Sequence, residues 1–262
     1  MNSTPICQAL HPNQAKSGSA GLLQLIGSRA FDNLQHAERE HLESVHWAIK
    51  TVKGGRTVFD QGDDRDTVYV LLSGWAFRYQ LLPDGKRQIL DFVFGGSLLG
   101  FGSCGVNCYG LETVTDCKVA MLPHAQFRKL LYLSPTLAIS VAERVADSET
   151  RAHGHMTSLG RRGARERIAG LILELASRTV SNGLDGHSCK IALPITQIMI
   201  GDALGLSNEH VCRVLGRLTD SGVVSFSRNV LEVLDREALM QEAGLEADDS
   251  SLSIGIEFAA AA

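Results

Sequence analysis

The chain has 262 residues, a net charge of −4 at pH 7 and 44% hydrophobic residues. This length and apolar content fit one large domain or two modest ones, and the net charge argues against nucleic-acid binding through overall positive charge. No segment has the apolar length that spans a bilayer, and the N-terminus lacks the basic and apolar regions of a signal peptide. We therefore expect a cytoplasmic protein without a membrane partner.

The N-terminal part of the chain is predicted to contain a flexible segment followed by a helix. Residues 1–29 form the flexible segment, because the chain begins with mostly polar and small residues. Residues 36–50 place Leu42, Val45 and Ile49 at three- and four-residue spacing. This spacing predicts one amphipathic helix over the whole range.

Residues 51–123 consist of short β-rich runs separated by turn residues. The runs recur about every eight to twelve residues, as they do in β-sandwiches and barrels. Pro83-Asp84-Gly85 lies between two such runs and predicts a hairpin turn. We therefore assign residues 30–134 to a β-rich N-terminal domain.

Residues 135–160 carry a continuous helical pattern that begins with a proline, which is favoured in the first turn of a helix. A seam of apolar and small residues at spacings of three and four runs along it. The seam consists of Val141, Val145, Ser148, Ala152, Met156 and Leu159. It is typical either of a dimerisation helix or of a helix that faces its own core. The DNA-binding pattern that follows in the chain favours the dimer, because a two-fold protein matches two half-sites.

Residues 161–240 are predicted to form a second domain, which follows a Gly-Arg-Arg-Gly hinge. Within it, residues 193–218 form two short helices joined by a tight turn. Thr196 and Ser207 are suited to cap the two helices, and Gly205 can adopt the left-handed conformation that ends the first. A helix-turn-helix of this kind inserts its second helix into the major groove of DNA.

The second helix of this motif separates apolar from polar residues. Its inward face consists of Val211, Val214, Leu215 and Leu218. Its cap and outward face provide the candidate DNA-binding residues, which are Ser207, Asn208, Glu209, Cys212, Arg213 and Arg217. Arginine bonds bidentately to the O6/N7 edge of guanine, and glutamate accepts from the N4 amine of cytosine. Base reading is therefore predicted for Arg213 and Glu209.

Two strand-like runs follow the second helix and meet at Arg228-Asn229, which predicts the wing of a winged helix and makes Arg228 a candidate phosphate contact. Residues 160–230 carry nine Lys/Arg and six Asp/Glu, whereas residues 231–262 carry one and eight. The positive stretch coincides with the helix-turn-helix, as phosphate binding requires. Residues 241–262 are predicted to be an acidic, disordered tail.

The run ALGLSNEHVCRVLGRL resembles the recognition region of the Crp/Fnr superfamily of bacterial transcription regulators. The family's Glu-x-x-(Ser/Cys)-Arg core corresponds to Glu209, Cys212 and Arg213, and the cysteine at its second position resembles the FixK-type branch. The resemblance covers about residues 30–235. It departs from the family at Ile198, where relatives often have glutamine.

The resemblance implies an α+β fold with an N-terminal cyclic-nucleotide-binding-like β-roll, a long dimerisation helix and a C-terminal winged helix-turn-helix. It also implies a homodimeric transcription regulator that binds a TTGA-type palindrome, works with RNA polymerase and takes part in oxygen- or redox-responsive control. No enzyme motif is found, so catalysis is not expected. A rival hypothesis is a ligand-binding module that acts on a protein partner, but the spacing of Glu209 and Arg213 favours DNA.

Residues 95–115 correspond to the stretch with which the family's cyclic-nucleotide binders hold the phosphate of their effector. Cyclic-nucleotide binders of the family carry an Arg-Ser or Arg-Thr pair in the corresponding stretch, whereas this stretch contains no arginine. Nothing there would neutralise a cyclic phosphate, so cyclic AMP is not expected.

The cysteines suggest an iron–sulfur cluster as an alternative. Cys117 matches the internal cluster ligand of the oxygen sensor Fnr, and a four-thiolate cluster would add Cys7, Cys104 and Cys108. The spacing of Cys104 and Cys108 matches no cluster signature that we identify. We therefore predict no cofactor, free thiols rather than disulfides, and a structural role for Cys117 in a strand.

Cys212 is a candidate redox-sensitive residue, because it lies beside Arg213 on the DNA-facing helix. Oxidation to sulfinic or sulfonic acid would place negative charge against phosphates and base acceptors. The alternative is that Cys212 takes the position of the family's serine and contacts a thymine methyl group. Both interpretations are open on the sequence alone.

Overall fold

The structure is a computed structural model that describes residues 34–64, 66–102, 105–179, 193–227 and 230–245. The predicted flexible segment 1–29, Cys7, Cys104 and Arg228 lie outside the described residues, as does the predicted tail from residue 246 onward. The chain divides into two compact units between Ala146 and Asp147.

The first unit contains two four-stranded antiparallel sheets with strand orders β1-β8-β3-β6 and β2-β7-β4-β5. The strands are β1 (Ala48–Val52), β2 (Thr57–Phe59), β3 (Thr67–Ser73), β4 (Trp75–Leu81), β5 (Arg87–Phe94), β6 (Leu98–Leu99), β7 (Gly110–Thr113) and β8 (Cys117–Pro123). Residues from both sheets form one buried cluster, which includes Phe59, Leu71, Ala76, Leu111 and Val119. The fold class predicted for this part of the chain, a roll of two β-sheets, is therefore confirmed.

Three helices accompany the roll, namely α1 (His36–Ser44), α2 (His124–Leu133) and the first turns of α3 (Pro135–Arg161). Leu42, Phe127, Leu137 and Val141 pack with strand residues such as Val70 in a second buried cluster. Val141 is therefore part of the core of the roll. The exposed part of the predicted dimer seam begins only at Val145.

The predicted helix over residues 36–50 is wrong in its second half. The helix α1 ends at Ser44, and the N–H of the capping residue Val45 donates to Leu42. Ile49 lies in β1, which pairs along its whole length with β8. The β-branched residues of β1 favour a strand, and the hydrogen bonds to β8 come from a segment distant in sequence. A local 3.6-residue pattern does not contain that information.

The predicted hairpin is confirmed. Strands β4 and β5 pair from Trp75 opposite Phe94 to Leu81 opposite Arg87. Gly85 has a φ of 81°, a conformation that glycine adopts without steric cost. The amide of Leu82 donates to the carbonyl oxygen of Lys86 at 2.8 Å and closes the turn.

The helix α3 runs through the division between the two units. The second unit then contains α4 (Ala164–Thr179), α5 (Gln197–Leu204), α6 (Asn208–Asp220), β9 (Val224–Ser227), β10 (Val230–Val233) and α7 (Arg236–Glu242). None of the described helices combines the length and apolar character that a bilayer crossing requires.

The core of the second unit is formed by α4 and the helices around it. Ile168, Ile172 and Leu175 of α4 are buried, as is Leu239 of α7. Gln241 and Glu242, within the segment 241–262 predicted to be a disordered tail, are instead the last residues of α7, a helix that was not predicted. Asp235 marks its start, because the carboxylate accepts from the amide of Ala238 at 2.9 Å.

Candidate DNA-binding surface

The first helix of the helix-turn-helix, α5, begins and ends as predicted. The Thr196 hydroxyl accepts from the amide of Met199 at 3.2 Å and caps the helix. Gly205 follows its last residue in the left-handed conformation, with a φ of 64°. Ile200 and Leu204 are buried, so α5 is fixed by one apolar face and two end signals.

The turn after α5 depends on a glycine that the sequence analysis did not identify. The amide of Leu206 donates to the carbonyl oxygen of Gly201 at 3.1 Å. A Cβ atom at Gly201 would lie 2.6 Å from the carbonyl oxygen of Leu206, a distance that real Cβ atoms do not reach. The close approach of the turn to α5 therefore requires glycine at this position.

Arg167 of α4 is a second residue that the sequence analysis missed. Its Nε donates to the carbonyl oxygen of Arg162 at 2.8 Å, and its Nη1 donates to that of Leu204 at 3.3 Å. Arginine thereby satisfies a carbonyl at the C-terminal end of α5, where positive charge is favourable. Nothing local in the sequence indicates this contact, because the two residues are 37 positions apart.

The second helix, α6, presents a polar face to solvent. The Ser207 hydroxyl accepts from the amide of His210 at 3.2 Å and caps the helix, as predicted. The four predicted apolar residues of its inward face are all buried. The predicted DNA-binding residues Ser207, Asn208, Glu209, Cys212, Arg213 and Arg217 are all exposed. The helix therefore leaves its polar face available for a partner.

Glu209 and Arg213 form an ion pair across one turn of this polar face. The Arg213 Nη2 lies 3.1 Å from the Glu209 Oε1, and the side chains are 56% and 86% exposed, respectively. An exposed pair at this spacing is worth only a few tenths of a kcal/mol. Both side chains can therefore leave this ion pair and bind base edges at little cost in free energy.

The predicted wing is formed by β9 and β10, which pair from Ser227 opposite Val230 to Val224 opposite Val233. The turn that carries Arg228 lies outside the described residues. Its predicted phosphate contact stays a prediction.

The inside of the roll contains an arginine–carboxylate pair that the sequence analysis did not identify. Arg78 lies opposite Asp91 and Leu111 in the strand pairing, and Leu111 belongs to the cluster between the sheets. The Arg78 Nη2 is 2.6 Å from the Asp91 Oδ2, and the side chains are only 21% and 12% exposed. The guanidinium also lies 5.5 Å from the centre of the Tyr109 ring.

Cys117, the candidate internal cluster ligand, lies at the start of β8 and belongs to the buried cluster between the sheets. Its side chain is fully buried, and its Sγ donates to the carbonyl oxygens of Trp75 at 3.2 Å and Thr115 at 3.3 Å. Burial raises the pKa of the thiol to about 11. Cys117 is therefore a buried hydrogen-bond donor within the roll.

Of the other predicted cluster ligands, the structure describes only Cys108. Cys108 is exposed, and Cys7 and Cys104 lie outside the described residues. In the part of the chain that the structure describes, no three His, Cys, Asp or Glu side chains are grouped as metal ligands.

The exposed portion of the predicted seam on α3 carries large apolar side chains. Val145 and Met156 are 53% and 60% exposed, respectively. His155 from the same helix is half-buried, and its Nε2 lies 2.5 Å from the Glu174 Oε2. His155 therefore has a carboxylate partner in α4.

A roll of two antiparallel sheets, a long helix and a winged helix-turn-helix with an exposed arginine–glutamate face define a DNA-binding transcription regulator with an N-terminal sensor-type domain. Family models agree with this class. Residues 49–132 match a cyclic nucleotide-binding domain, and residues 166–242 match a Crp-like helix-turn-helix domain.

Individual relatives support the same assignment. The chain is 31% identical over 207 residues to the nitrogen fixation regulation protein FixK of Bradyrhizobium diazoefficiens, covering 79% of this chain and 84% of that protein. It is 26% identical over 216 residues to the fumarate and nitrate reduction regulatory protein of Escherichia coli, covering 80% and 84%.

The structure of FixK2 from Bradyrhizobium japonicum matches with a TM-score of 0.70 at 26% identity, covering 78% of this chain and 100% of that one. The chain therefore belongs to the Crp/Fnr family of transcription regulators, in its FixK/Fnr branch. These relatives are regulators and not enzymes, as the sequence predicted.

Proposed function

We propose that the protein regulates transcription by binding, as a homodimer, a DNA palindrome with TTGA-type half-sites in oxygen- or redox-responsive control. The observation that carries this proposal is the exposed face of α6, where Glu209 and Arg213 lie one turn apart. Arg213 would bond to the O6/N7 edge of guanine, and Glu209 would accept from the N4 amine of cytosine. Such a protein acts in the cytoplasm on chromosomal DNA.

The remaining polar residues of the surface would position the dimer on the duplex. Arg217 on α6 is suited to a phosphate, and Arg228 in the wing is a second candidate. Ser207 and Asn208 lie at the end of α6 that approaches the bases. The face of α6 favours this DNA-binding function over a ligand-binding module that acts on a protein partner.

The homodimer is supported by α3. Val145 and Met156 belong to one predicted seam and expose apolar side chains in a single protomer. A two-fold dimer would cover this seam and would match the two half-sites of a palindrome. The DNA-bound dimer would then control transcription either by contacting RNA polymerase or by blocking its access to the DNA.

Redox control is proposed to act through Cys212 and not through a bound cofactor. Cys212 is exposed on the face of α6 that carries Arg213. The relatives named for regulation of nitrogen fixation and of fumarate and nitrate reduction support a redox-linked role. A cyclic nucleotide is not proposed, because residues 95–115 offer no arginine to its phosphate.

The test is a fluorescence anisotropy titration of a TTGA palindrome and a scrambled duplex of equal length and base composition. Arg213→Ala should weaken palindrome binding by about 1–3 kcal/mol and leave the scrambled duplex nearly unaffected. Arg217→Ala should weaken both duplexes alike, because a phosphate contact carries no sequence information.

Arg128→Ala is the matched control, because Arg128 is an exposed arginine on α2 of the roll. It should change neither affinity. If Arg213→Ala loses equal affinity for both duplexes, Arg213 does not read bases. If the wild type binds the palindrome and the scrambled duplex equally, the proposed half-site is overturned.

A further inference from the structure

A half-buried ion pair connects α3, which carries the exposed seam, to α4, the helix around which the core of the second unit forms. The His155 Nε2 lies 2.5 Å from the Glu174 Oε2, and the side chains are 25% and 22% exposed, respectively. The two residues are 19 positions apart in the chain. The pair therefore joins two helices and does not merely stabilise one.

Glu174 is also held by its own helix. Its other oxygen, Oε1, accepts from the Nη1 of Arg178 at 2.8 Å, and Arg178 lies one turn further along α4. Hydrogen bonds between charged groups are stronger than neutral ones, so Arg178 holds the carboxylate in place for His155. The pair between His36 and Glu40 is the contrast, because both of its members are exposed and lie within one turn of α1.

The His155–Glu174 pair lies at a distance from the turn that connects its two helices. The helix α3 ends at Arg161, and α4 begins at Ala164. At a rise of about 1.5 Å per residue, His155 lies about 9 Å before the end of α3 and Glu174 about 15 Å after the start of α4. Two helices that are joined at a turn and again away from it keep a fixed angle to each other.

This angle determines where α6 lies relative to the seam. Met156 of the seam directly follows His155 in α3. On the other side, α4 packs against α6, and its Arg167 donates to the carbonyl oxygen of Leu204 at the end of α5. A two-fold dimer reads half-sites that are about one turn of DNA, or about 34 Å, apart. A change in the angle between α3 and α4 would therefore change the separation of the two α6 helices in a dimer.

We propose that His155 and Glu174 are positioning residues, which fix the angle between α3 and α4 and thereby set the separation of the two α6 helices. This inference rests on the proposed homodimer and its palindrome. Without the pair, the chain would populate several angles, and only the fraction with the correct separation would bind both half-sites. The apparent affinity for a palindrome falls with that fraction, whereas the affinity for a single half-site does not.

The angle is measured first without DNA, by pulsed electron paramagnetic resonance between spin labels on Cys212 in α6 and on a Thr157→Cys substitution in α3. Both positions are exposed. An excess of unlabelled protein restricts the measurement to distances within one chain. The parent protein should give one narrow distance distribution, and His155→Ala should give a broad one. His155→Gln should restore the narrow distribution, because its amide N–H can donate to the Glu174 carboxylate. Buried Cys117 is kept, and serine replaces the other cysteines, which are Cys7, Cys104, Cys108 and Cys189.

His153→Ala is the matched control, because His153 is an exposed histidine of the same helix. This variant should keep the narrow distribution. Glu174→Ala should broaden it as His155→Ala does, and the double variant should broaden it no further, since both changes remove the same contact. A narrow distribution in His155→Ala would overturn the inference, as would equal broadening in His153→Ala.

The consequence for DNA is measured by anisotropy with the TTGA palindrome and with a duplex that contains one half-site. His155→Ala should bind the palindrome about tenfold more weakly and the single half-site with less than about a twofold change, while His155→Gln should bind both normally. An equal loss on both duplexes, or an unchanged palindrome affinity despite a broad distance distribution, would contradict the positioning role. If the wild type does not prefer the palindrome over the scrambled duplex, the proposed half-site fails, but the distance measurement still decides whether the pair fixes the angle.

Discussion

The roll and the recognition helix α6 each carry an arginine paired with a carboxylate, and the two pairs lie in opposite surroundings. Arg78 and Asp91 are mostly buried between sheets at 2.6 Å, whereas Arg213 and Glu209 are mostly exposed at 3.1 Å. Removing one partner of a mostly buried pair leaves the other charge poorly solvated, but an exposed charge is readily hydrated. The inner pair is thus tied to the fold, and the outer pair is free to bind a partner.

Two of the described cysteines, Cys117 and Cys212, repeat this contrast. Cys117 is fully buried and donates to two carbonyl oxygens, whereas Cys212 is exposed beside Arg213. The same residue type therefore has a structural role in the roll and is available for chemistry on α6. Sequence spacing alone does not distinguish such roles, because both depend on burial.

The largest expected effect lies in neither pair but in the seam of α3. The double substitution Val145→Glu and Met156→Lys should give monomers. The affinity for the TTGA palindrome should then fall by about 10²–10⁴-fold, because one complex no longer binds both half-sites. Sedimentation velocity at micromolar concentration measures the assembly, and anisotropy measures the affinity.

Ile139→Glu is the matched control for the seam, because Ile139 is a similarly exposed apolar residue of α3 that does not belong to the seam. This variant should stay dimeric and bind the palindrome normally. A double variant that remains dimeric would place the interface elsewhere on the protein.

The next effect concerns the stability of the roll. Arg78→Ala should lower the free energy of unfolding by about 2–3 kcal/mol, somewhat less than for a completely buried pair because both side chains keep some exposure. Arg213→Ala should change it by less than about 0.5 kcal/mol. Urea denaturation at pH 7 measures both values.

Replacing both members of the inner pair, as in Arg78→Met with Asp91→Leu, should recover most of the lost stability, since no unpaired charge remains. If Arg78→Ala and Arg213→Ala were equally stable, the contrast between the two pairs would not hold.

The features that the sequence predicted well are those with local causes. Thr196, Gly205 and Ser207 fix the ends of two helices through contacts within four residues, so their roles could be predicted from the chain alone. The turn at Gly85 is of the same kind. The division of α6 into a buried apolar face and an exposed polar face followed from its periodicity.

The features that the sequence did not predict have distant causes. Strand β1 forms because β8 pairs with it, although Ile49 continues a helical pattern. Gly201 and Arg167 matter through contacts with Leu206 and Leu204, which become visible only when the helices are placed. The pairing of Arg78 with Asp91 likewise depends on the register of two strands.

A smaller effect is expected from oxidation of Cys212. Peroxide should convert the exposed thiol to sulfinic acid, and the added negative charge near phosphates should reduce operator affinity by about fivefold to tenfold. Cys212→Ser should bind the palindrome normally and should be insensitive to peroxide. Anisotropy titrations before and after treatment, with mass spectrometry of the oxidised peptide, measure the effect.

Cys108→Ser is the control for Cys212, because Cys108 is another exposed thiol and lies in the roll. This variant should lose affinity on oxidation as the wild type does. Equal loss of affinity in the wild type and in Cys212→Ser would assign the redox response to another residue.

The smallest effect is the pH dependence that Cys117 contributes to stability. The pKa of its thiol is raised from 9.0 to about 11 in the folded protein, because burial disfavours the thiolate. Because the pKa is raised in the folded state, the thiol contributes fully to the free energy of unfolding below about pH 9. This contribution is lost as the pH rises through about 11. Urea unfolding of wild type and Cys117→Ala from pH 8 to about pH 10.5 should therefore show a stability difference that shrinks with pH, while Cys212→Ser should follow the wild type in parallel. Lysines and tyrosines titrate alike in all three proteins, so a pH-independent difference would mean that Cys117 is not the neutral, buried donor described above.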